Sequence, residues 1–138
     1  MKRLIDWQRR FNEYLASVRG KQFIWGEFDC CIFAADAVLA VTGEDPMYEF
    51  RGKYSSRLEA AQLLRELGSG TLLSTIEDRM GPPIAGAFGK RADVAVFDNN
   101  LGLVTGRYGM FLVEELPGRF LFVPITKIEK VFSVPFHG

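Results

Sequence analysis

The residues of this chain with the greatest capacity for chemistry are two adjacent cysteines, Cys30 and Cys31, preceded by Asp29. A thiol in the first turn of a helix meets the positive end of the helix dipole and free backbone N–H groups, and both favour the reactive thiolate. The same N–H groups can hold an oxyanion during acyl transfer. Asp29 stands where an N-cap would, so Cys30 falls at or near the first helical position. A thiol nucleophile also needs a base, most often histidine. The only histidine is His137, next to the last residue, where chains fray. Cys30 has two other readings, a buried remnant of such a site or a small core hydrophobe. Cys31 points about 100° away around the helix and is expected in the core. Adjacent cysteines bridge only under strain, so no structural disulfide is expected. Zinc takes about four ligands, which two cysteines and one remote histidine do not supply, and no metal or cofactor is expected.

These residues need elements to position them. Residues 30–41 (CCIFAADAVLAV) are apolar on every side except at Asp36, the pattern of a central, buried helix, with Gly43 as its stop. A carboxylate in such a helix needs a partner, and Arg51 is the expected one. Upstream, Leu4, Trp7, Phe11, Tyr14, Leu15 and Val18 recur in steps of three and four. That spacing predicts an amphipathic helix over 6–18, capped by Asp6 and ended by Gly20. Ser56-Arg57-Leu58-Glu59 fits a capping box with a helix running to Gly68. A shorter helix over 71–80 is stopped by Gly81-Pro82-Pro83, and 84–91 reads as a Gly/Ala-rich loop. The period then changes to two, predicting strands over 92–98, 101–105, 109–114, 120–123 and 130–134. Turns fall at Asn99-Asn100, Gly106-Arg107-Tyr108 and Leu116-Pro117-Gly118, and 124–129 form one helical turn. Helices followed by strands predict a single α+β domain over 1–138, its helices packed on one face of a mainly antiparallel sheet of about five strands.

Composition excludes several classes. With 138 residues, 48% hydrophobic and 25% charged, the chain is neither disordered nor collagen-like and can bury a core without staples. Seventeen basic side chains balance seventeen acidic ones, a poor match to a general nucleic-acid binder. The first 21 residues carry Lys2, Arg3, Arg9, Arg10, Arg19 and Lys21 against Asp6 and Glu13, a solvated face or a contact for an acidic partner. Asp6, Gln8, Arg9 and Arg10 interrupt the apolar run a secretory signal needs. No apolar stretch is long enough for a membrane span. The chain is therefore expected to be made in the cytoplasm without a signal peptide. Gly86, Gly89 and Lys90 lack the preceding strand and the Ser/Thr of a phosphate loop. The aromatic residues are chiefly core, with a share for a partner interface.

Phe23-Ile24-Trp25-Gly26, followed by Asp29-Cys30-Cys31-Ile32-Phe33, resembles the nucleophile motif of NlpC-type papain-like cysteine peptidases. In that family an aromatic-Trp-Gly approach leads into Asp-Cys-Ser-Gly-Phe. Asp29, Cys30 and Phe33 match it, while Cys31 and Ile32 replace Ser-Gly. Residues 92–97 resemble the family's Gly-Asp-Val-hydrophobic strand. Residues 100–106 fit the frame of its next strand, which usually begins with histidine, and the frame sets Asn100 at that position. The resemblance implies a papain-like fold with Cys30 as active or vestigial nucleophile and Asp29 as helix cap and site orienter. A neutral amide is too weak a base to take a thiol proton, so Asn100 implies a lost or rerouted active site.

A closer resemblance covers nearly the whole chain. Trp25-Gly26, Asp29-Cys30-Cys31, Phe33, Ala35-Asp36-Ala37, Thr42-Gly43, Asp45-Pro46, Arg51-Gly52 and Tyr54 occur in that order, with Leu121-Phe122-Val123-Pro124 later. This series resembles a small NlpC-like family of phage and prophage tail clusters that commonly lacks the strand histidine. It implies a structural or assembly component of a phage-type tail, at the tip or baseplate, built on an inactive scaffold. Its partners would be other tail proteins, with contact to peptidoglycan, and it would reach the virion tail after assembly in the host cytoplasm. The competing class is a cysteine peptidase or amidase cleaving peptidoglycan stem peptides, its base coming from His137, a partner chain or an unusual group. A third is an assembly chaperone absent from the finished particle.

Overall fold

A computed structural model of the chain describes residues 1–116 and 118–136. His137 and Pro117 lie outside the described residues. Four helices come first: α1 (Trp7–Ser17), α2 (Cys30–Thr42), α3 (Arg57–Leu67) and α4 (Leu72–Met80). Six strands follow: β1 (Ile84–Ala85), β2 (Val94–Phe97), β3 (Asn100–Val104), β4 (Tyr108–Leu112), β5 (Phe120–Pro124) and β6 (Lys130–Phe132). They form one antiparallel sheet in the order β1-β6-β2-β3-β4-β5. The α+β reading therefore holds, with a six-stranded sheet.

The central helix is apolar almost all round because most of it is covered, with Leu39 the exposed apolar residue. α1 packs on one side of α2, and β3 and β4 on the other. Phe33, Ala37, Val38 and Val41 have no solvent contact. Gly43 adopts a left-handed conformation (φ +81°) and donates its N–H to the Leu39 carbonyl, closing the helix. Sheet residues alternate between two apolar clusters. Val94, Val96, Leu101, Leu103, Met110 and Leu112 face the helices. Ala95, Val104, Phe111, Val123 and Val131 gather with Ile128 on the opposite side. Helices cover one face, as expected, and the other carries a second small core rather than solvent-facing polar residues.

Five local expectations are corrected. The segment 84–91 is not all loop, because Ile84 and Ala85 pair with Val131 and Lys130 as the edge strand β1. Two residues are too few to show a period. The β2–β3 turn is Asp98-Asn99, one residue earlier than predicted, with φ of 50° and 60°. Consecutive left-handed residues make the hairpin turn that fits strand twist, and Asp and Asn tolerate that region better than most residues. Asn100 then pairs with Phe97 as the first residue of β3. Asp6 makes no capping bond, because its carboxylate is taken by Arg9 and Arg10 one turn on. Gly20 is not the helix stop either, since α1 ends at Ser17 with Val18 as its C-cap. At α3, Ser56 caps the Glu59 N–H, but Glu59 reaches back to Ser55 rather than Ser56. A complete capping box occurs at Thr71 and Ser74, at the start of α4.

One clasp ties the two ends of the fold together. Arg3 is buried and donates to the Val134 carbonyl at 2.6 Å, the Arg91 carbonyl at 2.6 Å and Asp93 Oδ1 at 2.9 Å. Asp93 also accepts the N–H groups of Lys90 and Val134. The Arg3 guanidinium lies 4.1 Å from the centre of the Trp7 ring.

Candidate functional site

Asp29 is the pivot around which the site is built. Its backbone is extended, as an N-cap requires. Oδ1 accepts the Ile32 N–H at 2.9 Å, and Oδ2 accepts the Gly26 N–H at 2.9 Å. Oδ2 also accepts the Tyr54 hydroxyl proton at 2.5 Å. Gly26 sits at φ +81°, and a Cβ there would lie 2.0 Å from the Tyr54 carbonyl oxygen. Only glycine allows that approach. The Gly52 N–H then donates to the Gly26 carbonyl at 2.9 Å. The Trp-Gly, Asp-Cys and Gly-x-Tyr pieces of the sequence pattern are thus parts of one hydrogen-bonded knot at the head of α2. Burial, and then the nearby Asp29 charge, push the Tyr54 hydroxyl pKa well up, so it acts as a donor.

Cys30 is the first residue of α2 and keeps partial contact with solvent. The backbone N–H of Leu101 in β3, and those of Cys31 and Cys30, point at its sulfur and favour the thiolate. Burial works the other way and is the largest influence, reinforced by the negative charge of Asp29. The thiol is pushed up to about 11. The helix-start N–H groups thus favour the thiolate as expected, and burial works against them. Desolvation exceeds the pull of the N–H groups, and the capping carboxylate has the wrong sign. Cys31 is buried, and burial raises its thiol pKa well above the usual range.

A groove of about 440 Å³ runs over Cys30. Trp25, Leu64 and Leu72 line one wall, and Asp98, Asn100 and Glu115 line the other. The structure thus brings Cys30 and Asn100 into one site, as the strand frame implied. Asn100 donates to the Asp98 carbonyl at 3.1 Å and offers no proton acceptor of useful strength. Asp29 is excluded from this groove. It borders a smaller apolar cavity of about 60 Å³ behind Cys30, with Met47, Phe50 and Tyr54. Among the described residues, Arg57 is the cationic side chain lining the groove. Its guanidinium lies 3.6 Å from Glu114, and Glu114 also accepts the Trp25 indole N–H at 2.7 Å. No described His, Cys, Asp or Glu residues cluster as metal ligands. No described helix is long and apolar enough to cross a membrane.

Behind the site, Arg51 joins Asp36 at 2.5 Å and Asp45 at 2.6 Å, the pairing expected for Asp36. Burial raises the Asp36 carboxyl pKa, opposed by Arg51. The reading of the sequence missed Tyr54 as the partner of Asp29, and the Trp25–Glu114–Arg57 bridge. Tyr54 carried a signal, because it belongs to the same residue series as Asp29. The bridge carried none, because it joins segments 89 residues apart.

An α+β domain whose central helix begins with a shielded cysteine under the first strand of a hairpin is the class that fold and site define. Within that class, the family model of a domain of unknown function, DUF6950, matches residues 2–134, and the chain belongs to that family. No curated protein and no solved structure matches it.

Proposed function

We propose that this chain is a degenerate papain-like domain of the NlpC type that serves as a structural or assembly component of a phage-type tail. The observation that supports a loss of catalysis is the placement of Asn100, at the position of the resembled family's base, in the groove over Cys30. Among the described residues the groove holds no histidine, the usual base for a thiol proton. The NlpC reading has two supports. The cysteine-bearing helix precedes an antiparallel sheet whose strand β3 starts beside the thiol. Ala92, at the position where the resembled strand has glycine, has φ +74°, a region glycine adopts without strain. The tail assignment, with other tail-tip or baseplate proteins as partners, is supported by the residue series from Trp25 to Tyr54 and by Leu121-Phe122-Val123-Pro124.

Mass spectrometry of purified particles tests the assignment. The chain is expected in the finished tail, and its absence would sink the component reading in favour of an assembly chaperone. Digestion of muropeptides by the wild type and by Cys30→Ser tests the loss of catalysis. Neither is expected to release product, and release by the wild type alone would restore the peptidase.

A further inference from the structure

We infer that the groove over Cys30 binds an extended, cationic and partly apolar segment of a partner protein. This rests on the reading of the chain as a non-hydrolysing assembly component and names the chemistry of its partner. The two walls of the groove differ in kind. Trp25, Leu64 and Leu72 make one wall chiefly apolar and half-buried, and Arg57, over the Trp25 ring, is paired with Glu114. The turns at the ends of two hairpins supply the other, and there Asp98 and Glu115 are exposed. Neither carboxylate has an ion-pair partner among the described residues, whereas Glu114, which also lines the groove, is answered by Arg57 and Trp25. The chain as a whole carries no net charge, so this negative wall is a local feature. It repels phosphate backbones and attracts Lys or Arg side chains. The Cys30 thiol also lines the groove and tolerates an apolar side chain. Successive side chains of an extended segment point to opposite sides. A segment alternating basic and apolar residues therefore meets both walls at once.

The test uses the full chain and a fluorescein-labelled peptide of alternating lysine and leucine, read by anisotropy. Controls replace lysine by glutamate or leucine by serine. The alternating peptide is expected to bind, and both controls to bind more weakly. Asp98→Asn combined with Glu115→Gln is expected to weaken binding about fivefold and flatten its salt dependence. Both positions are exposed, so the fold is retained, which circular dichroism verifies. Saturating peptide is also expected to slow iodoacetamide labelling of Cys30 at about pH 9, where lysine stays charged. Unchanged affinity in the double variant, or an unchanged labelling rate, overturns the inference. Failure of an intact peptide to bind overturns this inference alone. A peptide cleaved by the wild type and not by Cys30→Ser overturns the non-hydrolysing reading and this inference with it.

Discussion

Asp29 and Asp93 are equally buried, each 1% exposed, and each accepts hydrogen bonds from three groups. The donors to Asp29 are two backbone N–H groups and the Tyr54 hydroxyl, all uncharged. Asp93 has two backbone N–H groups and the guanidinium of Arg3. At Asp93 the negative charge is cancelled inside the protein. At Asp29 it is solvated by dipoles and remains as a field acting on the neighbouring thiol. The same side chain, buried to the same extent, thus serves as a fastener in one place and as an unbalanced negative charge beside a thiol in the other. A cysteine at a helix start is not reactive by position alone. The sign of the charge beside it and the depth of burial decide.

The largest effect is expected from breaking the charged pair. Arg3→Met leaves Asp93 buried without its counter-ion and should cost about 3–5 kcal/mol in urea unfolding. Adding Asp93→Asn to that variant should recover part of the loss. A cost below about 1 kcal/mol for Arg3→Met would erase the contrast between the two sites. Next comes the neutral knot. Asp29→Ala removes the cap and orphans the Gly26 N–H and the Tyr54 hydroxyl, an expected loss of about 2–3 kcal/mol. Tyr54→Phe should lose about 1–1.5 kcal/mol. If Tyr54→Phe costs as much as Asp29→Ala, the hydroxyl rather than the cap dominates the knot.

The thiol gives the third test. Alkylation of Cys30, separated from Cys31 by mass spectrometry, should show a pH midpoint near about 11. A midpoint below the ordinary value of 9.0 would mean that the N–H groups outweigh burial. Stability follows the same proton. The folded thiol pKa lies above the unfolded one, so the folded chain keeps this proton longer as pH rises. Cys30 therefore contributes stability that is complete below about 9 and lost as pH climbs through about 11. Relative to Cys30→Ser, the wild type should lose unfolding free energy across that window. The smallest effect is expected at Ala92, buried at φ +74°. Ala92→Gly relieves left-handed strain but frees the unfolded chain, and should change stability by less than about 1 kcal/mol.

Local patterns made most of this fold legible. The Asp29 cap, the Gly43 stop and the apolar sweep from Cys30 to Val41 are written in neighbouring residues. So is the alternation in β2 to β4. Asp6 misled because two arginines a turn away compete for the carboxylate that would cap. The hairpin turn slipped by one because Asp98, Asn99 and Asn100 all suit a turn, and only the pairing with the next strand selects between them. At the site, the frame that aligned Asn100 with Cys30 was legible, but the balance that protonates the thiol was not. That balance depends on how deeply Leu101 and the groove walls bury the sulfur, a property of packing. The partner of Asp93 was equally hidden, since nothing local singles out Arg3.

The clasp has a kinetic consequence. Its bonds from Arg3 span 88 to 131 residues, and closing loops of that length costs chain entropy that no local contact repays early. The central helix and the β2–β5 meander can assemble before it forms. The first residues and the strip after β6 are therefore expected to fasten last. Loosening the clasp should show mainly as faster unfolding, with the refolding rate nearly unchanged.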